Sequence, residues 1–178
     1  MRFLEGECRM EAFFEDCIFS CAARSDADEI EALYIAVKEH GRGNGTTDWD
    51  DDYPNRAFID EDIANGALYT LRYNGELLAV VSMLEEDDLD ECGIKWTQKK
   101  SCALARLCVK PQYQGRHMGE HMMRLISEEA KEEGYLATRH LASLTNPASL
   151  RLYDRMAYMK LGKVHMYDTD FYAYEKLL

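Results

Sequence analysis

After Ser25 the apolar residues Ile30, Leu33, Tyr34 and Val37 recur at helical spacing, with Asp28 and Glu29 in the first turn, and this predicts an amphipathic helix ending at Gly41. The glycine-rich tract from Gly41 through Tyr53-Pro54 reads as a flexible loop, and Phe58, Ile59 and Ile63 as a short second helix stopped by Asn65-Gly66. The period then changes. Ala67 to Tyr73 and Glu76 to Leu84 flank Asn74-Gly75, the dipeptide that most favours a tight hairpin. Ser101 to Val109 is short, apolar and stopped by Lys110-Pro111, so it reads as a buried strand. Met118, Met122, Leu125, Ile126 and Ala130 mark one face of a helix closed by Gly134, and Leu136 to Leu144 reads as another strand. Strand, helix and strand in so short a span form a βαβ unit, hence a parallel pair. Asn146-Pro147 caps and opens a helix through Leu150, Tyr153 and Met156, and two strands follow, Tyr158 to Met166 and Phe171 to Leu177. Residues Met1 to Asp16 fit either a small helix or a loose arm.

At 178 residues and 20.5 kDa the chain is expected to hold one domain, over residues 17–178 after the arm of residues 1–16. A hydrophobic fraction of 47% beside 30% charged residues excludes a disordered or collagenous chain. No apolar stretch has the length of a membrane span, and the first eleven residues carry Arg2, Glu5, Glu7, Arg9 and Glu11, so neither signal peptide nor membrane anchor is expected. The 6 cysteines form no CxxC pair, and reduced thiols in a cytoplasmic protein are the simplest reading. The five histidines show no metal-binding spacing, and no metal is expected.

The formal net charge of −12 disfavours nucleic acid and anionic membranes as partners. Two acidic runs, Asp48 to Asp52 and Glu85 to Glu91, read either as solvated loops or as attractors of a cationic substrate. Between Lys99 and Arg124 the sign reverses: six cations stand against Glu120 alone, which points to an anionic ligand there.

That basic segment holds a strand-to-helix turn, Val109-Lys110-Pro111-Gln112-Tyr113-Gln114-Gly115-Arg116-His117-Met118-Gly119. Such a junction aims unpaired N–H groups and the positive end of a helix dipole at an anion, with Lys110 and Arg116 alongside. It is neither a P-loop nor a dinucleotide-binding turn, since GxxxxGK[ST] and GxGxxG are absent. Gln114-Gly115-Arg116-His117-Met118-Gly119 resembles the Q/R-x-x-G-x-G/A signature of the GNAT superfamily of N-acetyltransferases. Downstream, Asn146 to Tyr158 is similar to that family's N-x-x-A-x-x-L-Y-x-x-x-G-F segment. Two departures stand out. His117 occupies the place of the first signature glycine, where a histidine fits if its φ is negative, and Ala157-Tyr158 replaces Gly-Phe.

The resemblance implies an α/β (α+β mixed sheet) fold: one domain with a central, mostly antiparallel sheet, one parallel βαβ unit and flanking helices. It implies acetyl-CoA as co-substrate and an N-acetyltransferase that moves acetyl to a primary amine by direct attack in a ternary complex. It places the cofactor against Leu107, Cys108, Val109, Gln114, Gly115, Arg116, His117, Met118, Gly119, Asn146 and Tyr153. It supplies an oxyanion donor from a backbone N–H within Leu107 to Val109, and makes Tyr153 the general acid for the departing thiolate.

Deprotonating a lysine-like amine at pH 7 costs about 4.6 kcal/mol, against about 2 kcal/mol for an unprotonated thiolate leaving, so a base matters more than the acid. Glu85 and Glu86 are candidates by position, though both also read as plain loop charges. Asn146 has a second, simpler role as a helix cap. Arg106, polar within an apolar strand, either faces the acceptor substrate or pairs with a carboxylate. Cys108 is rejected as a nucleophile because no histidine lies near it in sequence. The acceptor expected is a small or protein amine, cationic if the acidic runs face it. A non-catalytic acyl-CoA-binding module is the alternative, and the terminal strands leave room for a homodimer.

Overall fold

The computed structural model describes residues 10–46, 49–85 and 88–178. Seven strands form one sheet: β1 Ile18–Cys21, β2 Leu68–Tyr73, β3 Glu76–Leu84, β4 Ser101–Val109, β5 Ala137–Ser143, β6 Met159–Met166 and β7 Thr169–Leu177. Among the described residues four helices of nine residues or more flank it: α1 Ala27–Gly43, α2 Arg56–Ala64, α3 Met118–Glu132 and α4 Pro147–Arg155. The sheet order is β1-β2-β3-β4-β5-β7-β6. Only β4 and β5 run parallel among the described residues, joined through α3 as the βαβ pattern predicts. This is the α/β mixed-sheet fold expected from the sequence.

Most element boundaries follow from local chemistry. Asn74 and Gly75 both take positive φ, 49° and 82°, as a tight turn between right-twisted strands requires. Asn55 caps α2 by accepting from Ala57 N at 2.9 Å, and Asn146 caps α4 by accepting from Ser149 N at 3.1 Å. Helix α1 runs past the expected stop at Gly41. Its true terminator is Gly45 at φ 77°, where Thr46 N returns to Gly41 O at 2.9 Å and Gly45 N to Arg42 O at 3.3 Å. That bond pair is a Schellman ending, and it needs the left-handed residue two places beyond the last helical one.

Strand β3 is buried continuously from Leu77 to Met83 because both faces of the sheet are covered. On one face α1 and α2 bring Ile30, Leu33, Tyr34 and Ile59 onto Leu68, Leu77, Val80 and Cys108. On the other, α3 and α4 bring Met122, Met123, Ile126 and Leu152 onto Leu71, Leu78 and Val81. Residues 10–15 are helical, Phe13 and Phe14 pack against this second core, and residues 1–9 of the expected arm lie outside the described ones.

Strand β1 was invisible in the periodicity, being four residues long and largely exposed; its pairing with β2 creates it. The terminal strands pair within the chain, β7 lying between β5 and β6. The long acidic loop before β4 is pinned by buried Glu175, which accepts from Thr97 N at 3.0 Å and Gln98 N at 3.3 Å. Arg139 holds the same loop through Asp90 at 2.6 Å.

Candidate active site

Strands β4 and β5 pair over only three residues, Ser101 to Ala103 against Ala137 to Arg139. Beyond that the two strands fork, and the fork opens into a cleft of about 1920 Å³. Its walls include Leu107, Cys108 and Val109 of β4, His140 of β5, and Asn146 and Tyr153 of α4. The sequence-predicted site residues of β4, the turn and α4 thus meet around one opening, while Arg116 is exposed on the turn outside the cleft lining.

The β4 wall is bulged. Val80 pairs with Cys108 and Ser82 with Ala105, so Arg106 and Leu107 together oppose the single residue between them, and Arg106 takes φ 55°. After the bulge, Lys110 N donates to Leu78 O at 2.8 Å. Strand alternation then turns the neighbouring Val109 N–H away from β3, toward the forked side. A backbone donor facing the cleft at this point has the placement that an oxyanion requires.

Buried inside the bulge, Arg106 pairs with Asp62 of α2, Nε to Oδ2 at 2.9 Å and Nη2 to Oδ1 at 2.7 Å. Ser82 Oγ donates to the same carboxylate at 2.5 Å. Arg106 makes the carboxylate pairing and also lines the cleft; the sequence could not name Asp62, which is 44 residues away.

The turn after β4 is held from within. Gln114 Nε2 donates to Val109 O at 2.9 Å, Gly115 takes φ 71°, and α3 begins at Met118 with its first-turn amides facing the cleft side. His117 departs from expectation with φ 60°, in the left-handed region rather than at negative φ. It therefore keeps the backbone shape of the glycine it replaces, its ring exposed and Nδ1 3.2 Å from Glu120 Oε2. Glu120 also accepts from Arg155 Nε at 2.7 Å; burial works against its charge, but these two partners hold its pKa below the usual value. Ala157, the other departure, likewise takes φ 55°. A Cβ at Gly119 would stand 3.3 Å from Leu152 Cδ2, so glycine there lets α3 approach α4. Lys110, expected beside the anion, instead donates to Glu76 Oε1 at 2.7 Å, and Tyr113 OH donates to Glu76 Oε2 at 2.9 Å.

Tyr153 lies 6% exposed in the cleft wall, its ring centroid 3.9 Å from His140, 5.3 Å from Tyr174 and 5.6 Å from Tyr158. His140 was missed by the sequence reading, which treated it as one of five histidines without metal spacing; its position inside an apolar strand was the available signal. Cys108 is fully buried, and burial pushes its thiol up, which makes it a poor nucleophile. Glu85 is exposed at the end of β3 and lines the cleft, while Glu86 lies outside the described residues. On the α1 and α2 side the cleft carries Trp49, Asp50, Tyr53, Phe58 and Glu61; on the α4 side it carries Arg151 and Arg155.

A bulged, forked parallel pair with an anion-suited helix start at its side is the architecture of a CoA-dependent acyl-transfer domain. The model of the acetyltransferase (GNAT) family matches residues 34–158, and the chain belongs to that family. Among solved structures, a GNAT-family acetyltransferase from Streptococcus agalactiae is similar at 21% identity, with 91% of this chain and 95% of that one covered and a TM-score of 0.77. The Salmonella typhimurium protein yncA, solved with its cofactor acetyl-CoA, is 16% identical over 91% of this chain and 94% of its own, TM-score 0.67. An agmatine N-acetyltransferase in its apo form is 14% identical over 92% of this chain and 100% of its own, TM-score 0.67. None of the curated proteins searched matches the chain. Among the described residues no helix is long and apolar enough to cross a membrane.

Proposed function

We propose that this chain transfers the acetyl group of acetyl-CoA to the nitrogen of a cationic primary amine, by direct attack while both substrates are bound. The observation that carries this reading is the fork itself: the bulged end of β4, the start of α3 and Tyr153 converge on one cleft. The residues fit acetyl-CoA. The turn from Gln114 to Gly119 offers backbone N–H groups to a pyrophosphate, with Arg116 exposed beside them, and the forked strands offer β4 edge groups to a linear, amide-bearing arm. A family relative solved with its cofactor acetyl-CoA supports the assignment.

Within that complex the Val109 N–H stabilises the developing oxyanion and Tyr153 supplies a proton to the departing sulfur. A cationic acceptor is favoured by the carboxylates that Asp50, Glu61, Glu85 and Asp88 bring to the cleft wall, which Lys38, Arg151 and Arg155 also line. Lys38 is itself turned to Pro54 O at 2.6 Å. Glu85 takes up the first proton of the ammonium, through water, a reading supported by its exposed carboxylate on the cleft wall. The chain works in the cytoplasm as a monomer or a homodimer, with no metal.

The test is release of free thiol from acetyl-CoA in the presence of a panel of diamines, amino acids and lysine peptides. Turnover with cationic amines and not with neutral ones is expected. Tight acetyl-CoA binding with no turnover on any amine would instead favour the non-catalytic binding module, which the exposed left-handed His117 in the signature turn makes worth testing.

A further inference from the structure

We propose that His140 is a positioning residue for Tyr153, its neutral imidazole donating an N–H to the phenolic oxygen as that oxygen gives up its proton. This rests on the acetyl-transfer reading above.

His140 is the first β5 residue beyond the last pair with β4, so it sits at the apex of the fork. Its side chain is 2% exposed and lines the cleft, and neither ring nitrogen has a hydrogen-bond partner among the described residues. An unpaired buried polar group is costly, so two such nitrogens in a packed wall call for a use. The ring is walled by phenols: Tyr153 at 3.9 Å, Tyr158 at 4.9 Å and Tyr174 at 5.5 Å between centroids. Tyr158 OH is buried beside the Thr138 and Ser127 hydroxyls, Thr138 lying on the same face of β5 as His140, so these hydroxyls face one another and leave the imidazole unserved. The two His140 nitrogens thus stand beside Tyr153 with no hydrogen-bond partner among the described residues.

The chemistry follows from what each group can carry. Burial lowers the His140 pKa to about 3, so the ring is neutral near pH 7 and holds one donor and one acceptor. The titratable groups facing it are the phenols of Tyr153, Tyr158 and Tyr174, and burial raises the last two. Among the described residues burial alone shifts His140, with no charged neighbour contributing. In the transfer step the amine nitrogen bonds to the acetyl carbon and the carbon–sulfur bond breaks. The proton of Tyr153 goes to the sulfur, and the proton left on the nitrogen after attack, the first having gone to Glu85 through water, returns to the phenolic oxygen. Between those two events a phenolate stands in an apolar wall, and a donor beside it lowers that cost. Catalytic hydrogen bonds commonly tighten only when substrate is in place, which suits a ring in contact with Tyr153 and still unbonded.

A cycle of substitutions on the full chain tests this. His140→Phe is expected to lower kcat about 10- to 100-fold with little change in KM for acetyl-CoA, and His140→Gln, which restores an N–H donor, to recover part of the loss. In a Tyr153→Phe background His140→Phe is expected to be nearly silent, because it acts through a hydroxyl already removed. Equal losses in both backgrounds, or full kcat in a folded His140→Phe chain, overturn the role. If His140→Phe fails to fold, the ¹⁵N resonances of the His140 ring with CoA bound decide: they move on Tyr153→Phe if the contact exists and stay if it does not. Wild-type protein that binds acetyl-CoA and acetylates no amine fails the acetyl-transfer reading instead, a result read before any variant is made.

Discussion

The Arg106 guanidinium grips the Asp62 carboxylate through two hydrogen bonds of 2.9 and 2.7 Å, with both side chains less than a tenth exposed. The contact ties α2 to the bulge of β4, where Arg106 is held in a left-handed backbone. Removing one partner leaves the other charge buried, at a cost of about 3–5 kcal/mol. Asp62→Ala is therefore expected to lower the urea midpoint sharply. Replacing both residues by leucine is expected to cost less than Asp62→Ala alone, because no charge is then left unpaired.

Tyr153→Phe keeps the ring in its contacts with His140 and Tyr174 and removes only the hydroxyl. The expected result is a 10- to 1000-fold lower kcat at saturating substrates, as for loss of a general acid, with acetyl-CoA affinity little changed. Stopped-flow thiol release beside calorimetric binding separates the two. Because an ordinary thiolate leaving at pH 7 costs only about 2 kcal/mol, the deficit should shrink as pH rises toward 8.5.

The elements legible in the sequence were those fixed by neighbours along the chain. Asn74-Gly75 dictates its own turn, Asn146 its own cap, and the turn from Gln114 to Gly119 its own loop, so the hairpin, α4 and the signature turn could be read directly. What stayed hidden depends on distant partners. Strand β1 exists only through β2, the bulge only through the mismatch of β3 with β4, and the roles of Asp62 and His140 only through contacts with Arg106 and Tyr153. Lys110 illustrates the converse: its position in sequence favours an anion, and Glu76 from the hairpin claims it.

His117 and Ala157 both take positive φ, 60° and 55°, at places where the family usually has glycine. A side chain in that region costs about 1–2 kcal/mol. Ala157→Gly is thus expected to raise Tm by about 2–4 °C for each kcal/mol recovered, in a differential scanning measurement. His117→Gly should gain slightly less, since it also gives up an exposed contact with Glu120 that contributes about 0–1 kcal/mol.

Acetyl-CoA and free CoA are expected to stabilise the protein and ATP to leave it unchanged, because the turn supplies amides for a pyrophosphate while the fork fits the thiol-bearing arm. At 100 times the dissociation constant a ligand adds about 2.7 kcal/mol. For a chain of this size that is a rise in Tm of about 5–10 °C. An equal shift with ATP would assign the effect to the phosphates alone and remove the argument from the fork.

His140 also makes the fold sensitive to acid. Its pKa is about 3 when buried and near 6.5 in the unfolded chain, so below pH 6.5 the unfolded state takes up a proton that the native state refuses. Stability from this group is complete above pH 6.5 and falls as pH drops toward 3. The difference between pH 7 and pH 5 is about 2 kcal/mol. Urea unfolding at the two pH values should show a loss of that size in the wild-type chain. His140→Gln, which does not titrate, should remove that part of the slope even if it lowers stability at pH 7. A slope unchanged by the substitution would mean that the ring is protonated in the native state as readily as in the unfolded one, and the neutral donor assigned to it beside Tyr153 would go with it.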